Sequence, residues 1–169
     1  RQSGEKHAVH SPRPGHVLPQ LVGGERQHGR HQPHEHVEDA VQDGLRRAQE
    51  LLVQAYQGAI PVLAICLSHE LFAQALGSSI VQTPVRGFEG IALSMAGIQD
   101  PLYAGLEHPI RVFNHTGRYV GQLPPGSTLL ASSERGIESY CIGSAYGVQF
   151  HPEISPAFAS RILSAEGEA

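Results

Sequence analysis

Apolar and polar residues recur along most of the chain with spacings that predict secondary structure. Between Val37 and Ala55, apolar residues return every three or four positions opposite charged ones, which predicts an amphipathic helix that Gly58 ends. Residues 61–65 are all apolar, which is typical of a short strand buried on both faces of a parallel sheet. The pattern changes at Cys66, and residues 68–77 predict a second helix.

After residue 77 the pattern predicts mainly short strands. Pro84 lies in the first of them, and Ser155 is suited to begin a final helix that includes Ala159 and Ile162. The strands are predicted at residues 80–86, 90–94, 110–113, 119–120, 128–131, 139–142 and 148–150.

Composition narrows the class of protein. The 169 residues suit one domain with a real core, and the net charge of −4 gives no reason to expect nucleic acid or a membrane surface as a partner. Two cysteines and no signal peptide favour a reducing cytoplasm, and no apolar run is long enough to cross a bilayer. There is no phosphate loop and no dinucleotide fingerprint.

The first 36 residues differ from the rest of the chain. Seven of the eleven histidines lie there, and Pro19 interrupts the one apolar fragment, residues 17–22. Clustered imidazoles can bind zinc, nickel or copper, here through His28, His31, His34 and His36. Because no cysteine or helical register organises these histidines, we favour a disordered polar leader over residues 1–36, followed by a domain over 37–169.

Cys66 stands at the bend between the strand of residues 61–65 and the helix that follows. A sharp strand–turn–helix bend lifts a side chain clear of the sheet edge, and the helix N-terminus favours the thiolate. This arrangement predicts a reactive cysteine. The alternative is that Cys66 is one more small buried apolar residue, as free cysteines usually are.

His151 and Glu153 follow the strand of residues 148–150, which Pro152 is expected to end. Two residues apart, they point the same way if the backbone stays extended. A thiol nucleophile needs an imidazole to take its proton and a carboxylate to orient that imidazole. The carboxyl ends of strands in α/β sheets are where such groups meet, so Cys66, His151 and Glu153 form a candidate triad.

These residues carry a resemblance to a known family. CLSHE at 66–70 and GVQFHPE at 147–153 resemble the two hallmark motifs of the class I, triad-type glutamine amidotransferases, commonly G-x-C-x-G-x-Q and F-H-P-E. The resemblance extends from about Val37 to about Ile162. In this segment the sequence is similar to the amidotransferase parts of GMP synthase and of anthranilate-synthase-like enzymes. Further matching segments are residues 100–106, 114–117, 123–126 and 130–133.

The resemblance implies an α/β fold, a flavodoxin-like three-layer sandwich with a mostly parallel central sheet. The family begins with an apolar strand that has no counterpart here, so we expect the first strand to be lacking or distorted. Residues 21–24 are the candidate for the glycine-rich turn of the oxyanion hole. We expect the amino-terminal part to be truncated or rewritten, for instance by a shifted reading frame.

The resemblance also implies the reaction and its residues. The chain would hydrolyse the side-chain amide of glutamine through a cysteinyl thioester and pass ammonia to a synthase partner, with no metal or cofactor. The catalytic residues would be Cys66, His151 and Glu153, and the oxyanion hole would use Leu67 and Gly24. The substrate-binding residues would be Glu70, Asn114, His115, Thr116 and Gly117.

Three positions depart from the family motif. Ala64 and Ser68 replace glycines, and Glu70 replaces a glutamine, which exchanges an amide for an acceptor-only carboxylate. These changes leave two alternatives open: a γ-glutamyl hydrolase with the same triad, or a truncated or inactive relative that only binds a partner. His115 is a rival base, for which we favour a binding or packing role.

Overall fold

The computed structural model describes residues 33–167, which comprise four α-helices, one short 3-10 helix and six strands. In chain order the elements are α1 (Pro33–Gln57), β1 (Val62–Ile65), α2 (Leu67–Ala75), β2 (Ile80–Leu93), α3 (Met95–Gln99), the 3-10 helix (Pro101–Tyr103), β3 (Ile110–Val120), β4 (Thr128–Ser133), β5 (Gly136–Ile142), β6 (Ala145–Val148) and α4 (Pro156–Gly167).

The six described strands form one sheet in the order β1-β6-β5-β3-β2-β4. Strand β4 also pairs with β5, which closes β2, β3, β4 and β5 into a small barrel. The β1–β6 pair is parallel, and the other pairs among these strands are antiparallel. The prediction of a mostly parallel sheet is therefore not confirmed. The connections between consecutive strands from β3 to β6 are short. A short connection can join only antiparallel neighbours, because parallel strands need a long crossover.

Several strands differ from their predicted form. One strand, β2, replaces two predicted strands, and its register shifts between Gln82 and Val85, around a proline that cannot donate to the ladder. Strand β3 continues past Phe113, so residues 114–117 lie inside a strand instead of after one. Strand β1 was expected to be buried on both faces, but Leu63 is 51% exposed whereas Ala64 is buried, so the described residues cover one face of β1 and leave the other partly open.

Two hydrophobic clusters form the core. One contains Ile91, Tyr103, Ile110, Val112, Leu130, Ala131, Val148 and Phe150. The other contains Ala64, Phe72, Ala73, Val120, Tyr140, Ile142 and Ala145, with Leu52, Val53 and Tyr56 of α1 packed against it. The two clusters share β3 and β6, so burial of apolar surface anchors the strand that leads to His151.

The helices are close to their predicted positions. Helix α1 begins at Pro33, four residues before the predicted start, and Val41 and Leu51 on its surface are exposed. Ser155 precedes α4 and accepts a hydrogen bond from the amide of Phe158 at 3.3 Å, as a helix cap does. None of the helices within residues 33–167 has both the length and the hydropathy of a bilayer span.

Most of the predicted leader, including the histidine-rich stretch up to residue 32 and the predicted oxyanion-hole residue Gly24, lies outside the described residues. Within residues 33–167, His, Cys, Asp and Glu side chains form no group of three or more that could hold a metal ion.

Candidate active site

Cys66 occupies a strained bend between β1 and α2. Its backbone dihedrals are φ 49° and ψ −109°, in the left-handed region that non-glycine residues rarely adopt and that costs roughly 1–3 kcal/mol. The bend is held on both sides, because the Cys66 amide donates to the Val148 carbonyl at 2.9 Å and the Cys66 carbonyl accepts from the Glu70 amide at 3.1 Å. The predicted strand, bend and helix are all present.

The surroundings of Cys66 act on its ionisation in both directions. Burial raises the pKa of the Cys66 thiol, and the negative charges of Glu70 and Glu153 raise it further. The amide of Leu67 and the hydroxyl of Thr116 lower the thiol pKa by hydrogen bonding. The raising effects are larger, so the thiolate is less favoured than the helix N-terminus alone would predict.

His151 and Glu153 form a hydrogen-bonded pair at the surface. Nδ1 of His151 lies 2.7 Å from Oε1 of Glu153, and the side chain of His151 is more buried than that of Glu153. The interaction orients the imidazole ring. Nδ1 faces the carboxylate, and Nε2 is the ring nitrogen that faces away from it. The strand before this pair lies earlier in the chain than predicted, at Ala145–Val148 instead of residues 148–150, so it ends two residues sooner.

The parallel pair β1–β6 brings Cys66 and His151 to the same edge of the sheet. Ile65 and Val148 are the last paired residues of the two strands, so Cys66 comes directly after one strand end and His151 three residues after the other. The His151 amide donates to the carbonyl of Phe113 at 2.9 Å, which fastens this segment to β3. The Phe113 ring packs beside the rings of both His151 and His115.

The four predicted pocket residues on β3 have different surroundings. Asn114 is fully buried, and its amide donates to Glu138 and Glu89 at distances between 3.1 and 3.3 Å. The His115 ring stacks on Phe113, with ring centroids 6.3 Å apart. Thr116 and Gly117 lie further along the strand, half-buried and exposed respectively.

Glu70 is buried in the first turns of α2, and both of its carboxylate oxygens are engaged. Oε1 accepts from the Thr116 hydroxyl at 3.1 Å and from the Gln149 amide at 3.3 Å. Oε2 lies 2.9 Å from Nη2 of Arg118 in an ion pair. The two small replacements nearby are accommodated, with Ala64 buried in the core and Ser68 half-buried.

Sequence reasoning did not single out Gln149 and Arg118, although both adjoin the site. Gln149 is fully buried between Glu70 and Cys66, and its amide nitrogen lies 4.0 Å from the Cys66 sulfur. A signal for Gln149 was present, because it is the polar residue between two apolar ones immediately before the His151 motif. Arg118 gave no comparable signal, because its ion pair with Glu70 forms only when β3 packs against α2.

Comparison with known families gives a match over most of the chain. The sequence model of the family described as Glutamine amidotransferase class-I matches residues 37–166. The match includes both motifs and the strand β3 between them.

Curated relatives match over part of their length. A glutamine-hydrolyzing GMP synthase subunit from Halobacterium salinarum is 34% identical over 101 residues, which are 57% of this chain and 54% of the relative. A glutamine-hydrolyzing GMP synthase from Pyrobaculum aerophilum is 35% identical over 104 residues, which are 61% of this chain and 20% of the relative. The chain thus spans about half or less of these two relatives.

Solved structures share the fold. A glutamine amidotransferase from Thermotoga maritima aligns with a TM-score of 0.64 and 24% identity, covering 73% of this chain and 54% of that one. A glutamine amidotransferase from Methylobacillus flagellatus aligns with a TM-score of 0.62 and 20% identity, covering 73% of this chain and 50% of that one.

Proposed function

Because the chain belongs to the class-I glutamine amidotransferase family, we propose that it hydrolyses the side-chain amide of glutamine and supplies ammonia to a synthase partner. The observation that carries the proposal is the adjacency of two parallel strands, one ending at Cys66 and the other leading to His151. The relatives named GMP synthase support glutamine as the substrate and a GMP-forming synthase as the partner.

The chemistry begins with transfer of the Cys66 proton to Nε2 of His151, whose Nδ1 faces Glu153. The thiolate attacks the amide carbon, and backbone N–H groups, one of them from Leu67, hold the oxyanion. The carbon–nitrogen bond then breaks as His151 gives its proton to the departing ammonia. Water, deprotonated by His151, cleaves the thioester, which releases glutamate and restores the thiol.

The glutamine pocket in this proposal lies beside β3. His115, Thr116 and Gly117 form its wall, whereas Glu70 and Asn114 contribute through buried contacts with other side chains. No metal or cofactor is required by this reaction, because thiol, imidazole and backbone amides supply the nucleophile, the base and the oxyanion donors.

Two finer expectations belong to the same proposal. The flavodoxin-like sandwich, with its first strand lacking or distorted, is supported by the fold of the amidotransferase neighbours, and the β1–β6 pair is the parallel part of the described sheet. A reducing cytoplasm is supported by Cys66 and Cys141, neither of which forms a disulfide in the described residues.

The test is glutaminase activity of the purified protein, measured as ammonia and glutamate released, for the parent and for Cys66→Ala. We expect the substitution to lower kcat by about 10⁴-fold or more, as removal of a catalytic nucleophile does. Cys141→Ala is the matched control, because Cys141 lies on β5 away from the bend, and it should retain activity.

Two other outcomes would replace the proposal. The second candidate is γ-glutamyl hydrolysis with the same triad, an alternative left open by Glu70, where the family motif has a glutamine. Hydrolysis of γ-glutamyl amides without ammonia release from glutamine would establish it. A protein that is inactive on both, and whose Cys66 does not react with a glutamine-like diazo-ketone, would be a binding protein without catalysis.

A further inference from the structure

Both carboxylate oxygens of Glu70 face side chains of the protein. Its side chain is only 4% exposed, and Thr116, Gln149 and Arg118 occupy its two oxygens at distances between 2.9 and 3.3 Å. Oε2 has the Arg118 ion pair but no hydrogen-bond partner among the described residues, so the arginine charge is what stabilises that oxygen, and a substrate amine would have to compete with it. Glu70 is therefore better suited to organise the site than to bind glutamine directly.

Gln149 links Glu70 to the nucleophile. The same amide nitrogen lies 3.3 Å from Oε1 of Glu70 and 4.0 Å from the Cys66 sulfur, and the Gln149 side chain is fully buried. Because Glu70 accepts from this amide, it fixes the orientation in which the amide faces the sulfur. Amide hydrogens directed at sulfur favour the thiolate over the thiol.

Arg118 supplies the charge that balances Glu70. The arginine side chain is 43% exposed and reaches from β3 to the buried carboxylate, beside a cleft of about 340 Å³ that opens to solvent. Besides the Gln149 amide, the groups that act on the Cys66 thiol are Glu70 from its own helix, Thr116 from β3, the Leu67 amide, and Glu153 beyond β6. The two carboxylates among them oppose ionisation, and Arg118 offsets the nearer one.

We propose that Arg118 and Gln149 are positioning residues that set the ionisation of Cys66 through Glu70. The inference rests on the proposed function, since it takes Cys66 as the nucleophile. Its consequence is measurable without glutamine: removal of the Arg118 charge leaves Glu70 uncompensated, and the thiol then ionises at higher pH. A shift of about one unit corresponds to an alkylation rate roughly tenfold lower at neutral pH.

The experiment measures the rate of Cys66 alkylation by iodoacetamide against pH, by mass spectrometry, in a Cys141→Ala background. We expect Arg118→Gln to move the profile up by about one pH unit and Glu70→Gln to move it down. In the double variant, loss of Arg118 should add nothing, because the charge it balances is already gone. Arg161→Gln, on the exposed face of α4, removes the same charge away from Glu70 and should leave the profile unchanged.

Two further variants separate charge from folding. Arg118→Lys keeps the charge and should keep the parent profile, and Gln149→Met removes the amide donor and should move the profile up. Thermal unfolding of each variant identifies any that does not fold. If Arg118→Gln does not fold, the profiles of Arg118→Lys and Gln149→Met test the inference. Equal profiles for Arg118→Gln and the parent, or an equal shift with Arg161→Gln, would overturn the inference. A shifted profile in a protein without glutaminase activity would support the inference about Arg118 and Gln149 and would contradict the proposed function.

Discussion

Glu153 holds the imidazole of His151 from the solvent side: Oε1 of the half-exposed carboxylate lies 2.7 Å from Nδ1 of the more buried ring. The two residues are separated by a single proline, so the pair depends on local backbone geometry and not on packing between distant elements. The contact holds the imidazole ring in one orientation.

Replacing Glu153 by Gln should therefore lower kcat and leave the protein folded. Buried triad carboxylates contribute about 10⁴-fold, and the exposure of Glu153 reduces this, so we expect a decrease of about 10- to 100-fold. The measurement is kcat for glutamine hydrolysis between pH 6 and 9. Glu38→Gln, on the exposed surface of α1, is the control for loss of one negative charge. Equal kcat values in the two variants would contradict an orienting role.

Gly147 should tolerate no side chain. A Cβ added there would lie 2.5 Å from Nδ1 of His69 and 2.8 Å from Cζ of Tyr140, both of which are fully buried. Gly147→Ala should lower the free energy of unfolding by about 1–3 kcal/mol, measured by urea denaturation. Gly44→Ala is the matched control, because open space surrounds that position on α1, and it should raise stability by about 0.5–1 kcal/mol. Similar effects of both changes would disprove the close packing at Gly147.

His69 should make the protein sensitive to acid. Its ring is fully buried on Tyr140, both ring nitrogens lack a hydrogen-bond partner among the described residues, and burial lowers its pKa from 6.5 to about 3. The unfolded chain binds the proton first, so stability is lost as pH falls from about 6.5 towards 3, by about 2–3 kcal/mol at pH 4.5.

The measurement is the free energy of unfolding in urea at pH 7.5 and pH 4.5, for the parent and for His69→Phe. The phenyl ring keeps the contact with Tyr140 and cannot titrate, so this variant should lose less stability between the two pH values. The same loss in both proteins would exclude His69 as the source of the acid sensitivity.

Asn114 should matter for stability more than for substrate affinity. Its amide donates to Glu138 and Glu89, and burial raises the pKa of the Glu138 carboxyl. Asn114→Asp removes the donor and sets a third carboxylate beside two others, so we expect a loss of about 3 kcal/mol at pH 7 that shrinks as pH falls and the carboxylates protonate.

Gln122→Glu adds the same charge at an exposed position just after β3 and should change the free energy of unfolding by less than about 0.5 kcal/mol. The pair is compared by urea denaturation at pH 7 and pH 5, with KM for glutamine as a second measurement. A higher KM with unchanged stability in the Asn114 variant would instead establish direct substrate contact.

Local patterns in the sequence were sufficient for the parts of the fold that depend on neighbours along the chain. The bend at Cys66, the helices on either side of it and the cap at Ser155 follow from apolar spacing and from residues suited to helix ends. The His151–Glu153 pair is equally local, since only a proline separates the two residues.

The tertiary structure decided what depends on pairing between distant segments. The barrel of β2 to β5 places residues 114–117 inside a strand, and the contacts of Glu70 with Arg118 and Gln149 require β3 and the segment after β6 to meet at α2. A single sequence carries no register for such contacts, because many strand orders bury the same apolar residues. The sequence therefore identifies the groups that can react, and the packing of the strands determines which neighbours raise or lower the pKa of the Cys66 thiol.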